Sequence, residues 1–77
     1  MPTLFIVFGL RFFFYSNEHL PIHIHVSNAD GEAKFEVEEV KLIINRGLKK
    51  KDVNLAAALI EENKEIIIKK WIEYHGR

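Results

Sequence analysis

Two histidines in the first third of the chain, His23 and His25, are the residues best suited to chemistry. They alternate with aliphatic residues within the segment 21–26, and successive side chains of a β-strand point to opposite faces, so both imidazoles share one face. Imidazoles titrate near neutral pH, so two side by side can act as general acid and general base. Two histidines with one carboxylate are also a metal-site composition. Alternatively, the two histidines have no chemical role and form the polar outer face of a half-solvated strand.

A predicted hairpin places carboxylates opposite these histidines. The Asp-Gly dipeptide at 30–31 lies between two alternating segments, which favours a two-residue turn there. In that register Glu36 opposes His25 and Glu38 opposes His23, while the apolar residues of both strands share the other face. The candidate catalytic residues are His23, His25, His19, Glu18 and Arg11, and a metal ion, which is not favoured, would use His19, His23, His25 and Glu36.

A basic run and an aromatic run are the other candidate surfaces. The basic run could contact phosphates, but the formal net charge of zero favours no more than weak nucleic-acid binding. The aromatic residues at 12–15 could stack nucleobases, although a core or a subunit interface is the commoner role of such residues in a small domain. The candidate phosphate-binding residues are Arg46, Lys49, Lys50 and Lys51.

The composition predicts one small domain over residues 1–77, with the cytoplasm as its location. Apolar residues at 48% and charged residues at 29% are globular proportions. The absence of cysteine excludes disulfides and thiolate metal sites. The longest apolar run, residues 4–10, is too short to span a bilayer, so no membrane association is expected. A short chain without covalent staples often assembles with another chain, so a small protein partner or a homo-oligomer is expected.

Hydrophobic periodicity predicts an α+β fold in which a small antiparallel sheet of two hairpins carries a long C-terminal helix on one face. Gly9 suits the first position of a type II′ turn in the first hairpin. Asp52 is the predicted N-cap of the helix and Gly76 its C-terminal stop, with a break conceivable near residues 61–64. The four predicted strands cover residues 3–8, 11–15, 22–28 and 32–44, and the predicted helix covers residues 53–75.

The same residues also carry a resemblance that extends over essentially the whole chain. The matching segments are Met1-Pro2-Thr3, residues 9–19, 21–26 and 31–35, Asn45-Arg46-Gly47, Glu62-Asn63 and Trp71. They resemble the prokaryotic family known as domain of unknown function 4160. Leu20 is a departure, since members often carry a second proline or a small residue there. The resemblance implies a small stand-alone bacterial or phage-borne protein, often encoded beside another small protein in a toxin–antitoxin-like arrangement.

The leading functional hypothesis is a component of such a two-gene module that acts through its histidine surface, for example as a metal-independent ribonuclease toxin. One histidine would deprotonate a ribose 2′-hydroxyl, another would protonate the leaving oxygen, and Arg11 or Arg46 would stabilise the phosphorane. The alternative is a non-catalytic antitoxin or dimerisation domain that uses its apolar first strand and the helix stripe. A metal-binding module is the third interpretation.

Overall fold

The computed structural model describes residues 3–16 and 18–76. One antiparallel sheet holds five strands in sequence order, and each strand pairs with the next. Two helices follow the sheet along the chain and cover one of its faces. The elements are β1 (Thr3–Val7), β2 (Leu10–Phe13), β3 (His23–Ser27), β4 (Glu32–Glu36), β5 (Lys41–Arg46), α1 (Lys50–Glu62) and α2 (Lys64–His75).

The α+β class and the antiparallel sheet are confirmed, but the sheet has one strand more than predicted. The segment predicted as one strand over 32–44 is two strands, β4 and β5, joined by a turn at residues 37–40. Val40 closes this turn by donating its backbone N–H to the carbonyl of Val37 at 3.2 Å, with a positive φ of 50°. Hydrophobic periodicity misses the turn because Val37 and Val40 are both apolar, and Val37 is fully buried in the core.

The single long helix is also two helices, which meet at Asn63. The backbone of Asn63 leaves the helical region (φ −109°, ψ 17°), and its side-chain amide donates to the carbonyl of Leu59 at 2.8 Å. The first helix begins at Lys50, earlier than predicted, with Lys49 at the N-cap and Asp52 within the first turn. Gly76 ends α2 in the left-handed conformation, as predicted.

The core lies between the helices and one face of the sheet, here called the core face. Alternation along β2 sends Phe12 and Phe14 into this core, where Phe14 meets Trp71 of α2 edge-on at a ring-centroid separation of 5.3 Å. Phe13 points to the opposite, histidine-bearing face, because successive side chains of a strand alternate. The fully buried side chains of the core include Phe12, Phe14, Ile24, Val26, Phe35, Ile60, Ile67 and Trp71.

The turn of the first hairpin differs from the prediction. Val7 pairs with Leu10, so Phe8 and Gly9 are the two turn residues, and both have positive φ (53° and 76°). Two positive φ values are the pattern of a type I′ turn, whereas a type II′ turn has one at its first position. Gly9 therefore occupies the second position of the turn and not the first.

The register predicted for the hairpin of β3 and β4 is wrong by two residues. His23 lies opposite Glu36, and His25 lies opposite Lys34. The physical reason is Asn28, whose side-chain oxygen accepts the backbone N–H groups of Asp30 (2.8 Å) and Gly31 (3.3 Å), which makes the connection a four-residue loop. A shift of two residues preserves the faces, so both histidines stay opposite the core, on what is called the histidine face below.

Candidate functional site

The centre of the histidine face is the carboxylate of Glu18, from the loop between β2 and β3. Its Oε2 lies 2.8 Å from Nε2 of His23 and forms an even shorter contact with Nε2 of His25. Its Oε1 accepts the backbone N–H of Tyr15 at 3.0 Å, which fixes the orientation of the carboxylate. Only 7% of the Glu18 side chain is exposed, so this carboxylate is an internal group shared by two imidazoles.

His23 is oriented by a second contact on the other side of its ring. Its Nδ1 lies 2.8 Å from the carbonyl oxygen of Pro21. A carbonyl can only accept, so Nδ1 carries the hydrogen and donates it. The fixed tautomer leaves Nε2 directed at Glu18.

His25 is enclosed by aromatic rings and carboxylates. Phe13 stacks on its ring at a centroid separation of 5.5 Å, and Tyr15 meets it edge-on at 4.4 Å. Its Nδ1 is buried without a hydrogen-bond partner, and the nearest carboxylate oxygen, from Glu32, is 3.5 Å away. Both ring nitrogens of this buried histidine therefore face carboxylates.

Tyr15 connects the histidine face to Glu32. Its hydroxyl lies 3.1 Å and 2.9 Å from the two carboxylate oxygens of Glu32 and donates to them. The hydrogen bond to Glu32 raises the pKa of Tyr15 above its ordinary value, and burial and the negative charges of Glu32 and Glu18 act in the same direction against Arg11. Glu32 is thereby held beside the ring of His25.

The remaining predicted catalytic residues lie around this centre. His19 is exposed and shares a shallow surface groove with Glu18, His23 and Ile43. Arg11 covers the ring of Phe13 at 4.4 Å and donates its Nε–H to the Thr3 hydroxyl at 2.8 Å.

Glu36 borders the same groove opposite His23, whereas Glu38 is exposed in the turn that follows β4 and has no place opposite a histidine. Among the described residues, the acidic and histidine side chains whose donor atoms converge closely enough for a metal ion are Glu18, His23 and His25. Of the four ligands named from the sequence for a metal, the structure brings His23 and His25 together and adds Glu18.

The predicted phosphate-binding residues are distributed along the junction of β5 and α1. All four are exposed, with Arg46 at the end of β5 and the lysines at the start of α1. Lys49 lies 3.8 Å from the carboxylate of Asp30. Arg46 lies opposite Glu32 and shares a surface pocket with His25 and Glu32, so it borders the histidine face, whereas the lysines lie at the start of α1.

Sequence reasoning missed Tyr15 and Glu32 as members of the site. Alternation from Phe13 places Tyr15 on the histidine face, so a signal for it existed. Glu32 lies beside His25 only in the register that Asn28 fixes. The two-residue turn predicted from the sequence gives a different register, which does not indicate this position.

The loop that carries Glu18 is also attached to the end of α2. His75 has one ring nitrogen 3.2 Å from the carbonyl of Tyr15 and the other 3.2 Å from the carbonyl of Trp71. Trp71 lies between the rings of His75 and His23, at centroid separations of 4.0 Å and 5.0 Å. The only tryptophan of the chain is thus adjacent to a site histidine.

The comparison with family models identifies the kind of chain that carries this site. The model described as domain of unknown function (DUF4160) matches residues 9–72, which include β2 to β5, both helices up to Ile72, and the whole Glu18 centre. The chain belongs to this family, as the resemblance predicts. Of the residues that carry the resemblance, Met1, Pro2 and Asn17 lie outside the described part of the structure.

The other comparisons gave no match, either among curated proteins or among solved structures. Within the described residues, no helix is both long enough and apolar enough to cross a membrane.

Proposed function

We propose that this protein is a component of a cytoplasmic, bacterial, toxin–antitoxin-like two-gene module and that it acts by binding its partner protein along β5. The family resemblance supports the two-gene setting. The observation that carries the binding mode is β5 itself, because all six of its residues, Lys41–Arg46, are exposed. The exposure of β5 favours the hypothesis of a protein-interaction domain over the hypothesis of a catalytic toxin.

The strand β5 is the last strand of the sheet, and its outer edge pairs with no strand of the described residues. Leu42, Ile43 and Ile44 are three consecutive large apolar residues that are 40%, 48% and 39% exposed. Sheet proteins usually protect such an edge with charges, prolines or a covering element. An extended peptide that adds a sixth strand would satisfy the free backbone groups and cover these side chains.

The opposite edge of the sheet is less suited to this role. On β1, Leu4, Phe5 and Val7 are partly buried against the core, and only Thr3 and Ile6 are exposed. Most of the apolar side chains of β1 are therefore already partly covered by the core.

The charges around β5 specify the chemistry of its occupant. Lys41 and Arg46 bound the apolar centre, and in a centred antiparallel pair of two β5 strands they would lie opposite each other. Like charges directly opposite each other across a strand pair are destabilising, which disfavours a second copy of this chain. The expected occupant is an apolar strand of the partner protein with acidic residues at its ends.

The test is co-purification with the product of the small gene encoded beside it. Ile43→Asp places a charge at the centre of the β5 edge and is expected to abolish the complex. Ile66→Asp, at an exposed position on α2, is the matched control and should leave the complex intact. A complex that survives Ile43→Asp, or no complex with wild type, contradicts the proposal.

Acid–base cleavage of RNA is the second candidate, favoured by one observation. Two imidazoles share a single carboxylate oxygen, with Arg11 on the same sheet face. Against it stands the burial of His25, which is 7% exposed and faces Glu18 and Glu32, since a general acid or base must reach its substrate.

Growth after inducing the chain alone distinguishes the two candidates. A ribonuclease toxin would arrest growth and degrade RNA, and the double variant His23→Ala, His25→Ala would relieve both effects at equal expression. Normal growth with wild type and variant alike would contradict the ribonuclease and agrees with the interaction proposal.

A further inference from the structure

We propose that Glu18, His23 and His25 bind one divalent transition-metal ion, with Zn²⁺ as the expected class. One ligand atom from each residue lies within 4.8 Å of the others. The ligands are gathered before any ion enters, because backbone contacts at Tyr15 and Pro21 orient the carboxylate and the ring of His23. The argument for this metal site does not rest on the proposed binding of a partner protein.

The tautomer of His23 is the first argument for a cation. Since Nδ1 donates to the Pro21 carbonyl, Nε2 of the neutral ring is a lone pair that faces the Glu18 oxygen at 2.8 Å. Two electron-rich atoms at that distance repel each other unless a proton or a metal ion lies between them. A ligating histidine typically donates its other ring N–H to a backbone carbonyl or a carboxylate, and His23 does so.

His25 has a similar environment, in which the carboxylate of Glu32 lies on the Nδ1 side of the ring, as the Pro21 carbonyl does for His23. Its Nε2 faces the same oxygen of Glu18, and on the opposite side of the ring Nδ1 has Glu32 at 3.5 Å. Tyr15 holds Glu32 in that position through its hydroxyl. An ion at Nε2 would leave the hydrogen of His25 on Nδ1, on the side of the ring where the Glu32 carboxylate lies at 3.5 Å.

A single ion also explains why one carboxylate serves two histidines. With protons alone, His23 must be charged to donate from both ring nitrogens, whereas a neutral His25 could donate from Nε2 only by leaving its buried Nδ1 as a lone pair that faces Glu32. A divalent ion accepts the lone pairs of two neutral rings and of the carboxylate at once. To admit it, the Glu18 oxygen must withdraw slightly from the rings, since metal–ligand distances are about 2.0–2.2 Å on each side.

The ligand set selects the class of ion. Two imidazole nitrogens and one carboxylate oxygen suit Zn²⁺ and its neighbours Co²⁺ and Ni²⁺, whereas Ca²⁺ and Mg²⁺ prefer sites made of oxygen alone. Three protein ligands leave a fourth position free, as in catalytic and exchangeable zinc sites. Glu18 and His23 border the surface groove, which gives that position access to water or to a ligand from outside.

The test is titration of the untagged full chain with Co²⁺, read by visible absorption and by Trp71 fluorescence. Because the Trp71 and His23 ring centroids are 5.0 Å apart, a paramagnetic ion at the site should quench the emission. One equivalent should bind with quenching, and Zn²⁺ should displace it. Glu18→Gln and His23→Gln should each weaken binding by about 100-fold or more, exceeding the effect of an outer-sphere change.

The matched control is His19→Ala, which removes the exposed histidine of the same groove and should leave affinity and quenching unchanged. Far-ultraviolet circular dichroism verifies that each variant is folded. Wild-type affinity weaker than about 1 mM overturns the proposal. So does binding that persists in both folded glutamine variants or that disappears in His19→Ala.

Discussion

At the scale of single residues, Glu18 joins two parts of the chain that are separate in sequence. Its carboxylate links the loop after β2 to two positions on β3, through His23 and His25. Removing one member of a buried, charge-assisted contact leaves the others unsatisfied, which costs more than the contact itself contributes. Variants of this group should therefore be conservative in shape, as Glu18→Gln and His23→Gln are.

Tyr15 gives a prediction about pH. Its raised pKa, caused first by the hydrogen bond to Glu32 and then by burial, means that the folded chain holds the phenolic proton more tightly than the unfolded chain does. The associated stability is present at neutral pH and is lost as the pH rises from about 10 through the raised value.

An ultraviolet absorbance titration checks this, because subtracting the curve of Tyr15→Phe from wild type isolates Tyr15, one of only two tyrosines. Glu32→Gln should move the isolated pKa back toward about 10. An isolated curve centred at or below the ordinary value would contradict the role of Glu32.

At the scale of elements, α2 packs on the sheet through a narrow row of side chains. Ile67 and Trp71 are fully buried, and His75 continues the row at the same spacing of four, whereas Ile66 and Tyr74 are exposed. Helical periodicity alone would place Ile66 and Tyr74 in the buried stripe together with Ile67 and Trp71. The break at Asn63 falls within residues 61–64, where the hydrophobic pattern allows a break. The contact of His75 with Tyr15 helps to set the rotation of α2 and is not visible in hydrophobic periodicity.

The neighbouring isoleucines of α2 test this orientation. Ile67→Ala opens a cavity in the core and should reduce the free energy of unfolding by about 2–4 kcal/mol. Ile66→Ala, one position away and 54% exposed, should change it by no more than about 0.5 kcal/mol. Urea denaturation followed by Trp71 fluorescence measures both, and equal losses would show that α2 is rotated from this position.

At the scale of the whole molecule, the sequence predicts what depends on side-chain alternation and misses what depends on a single polar contact. The fold class, the shared face of His23 and His25, and the burial of Phe12 and Phe14 all follow from period-two patterning. The hairpin register depends on the side chain of Asn28, and the side chain of Asn63 lies at the helix break that the sequence leaves open over residues 61–64. Glu18 was identified as a candidate, but its central position depends on the path of the loop, which no spacing rule specifies.

The Glu18 centre and the β5 edge lie on one continuous surface of the molecule. Ile43, in the middle of β5, the strand proposed to bind the partner, lines the groove that Glu18 and His23 border. A β-bulge between the pairs made by Lys34 and Phe35 marks this stretch of β5.

An occupant of the edge and an ion at Glu18 would therefore act on the same few side chains. If either one stiffens or displaces the groove, the two affinities become thermodynamically linked, and each ligand changes the affinity for the other by one common factor. In that case the availability of metal would set the strength of the proposed protein complex, and the proposed two-gene module would respond to ion concentration without any change in the amount of either protein.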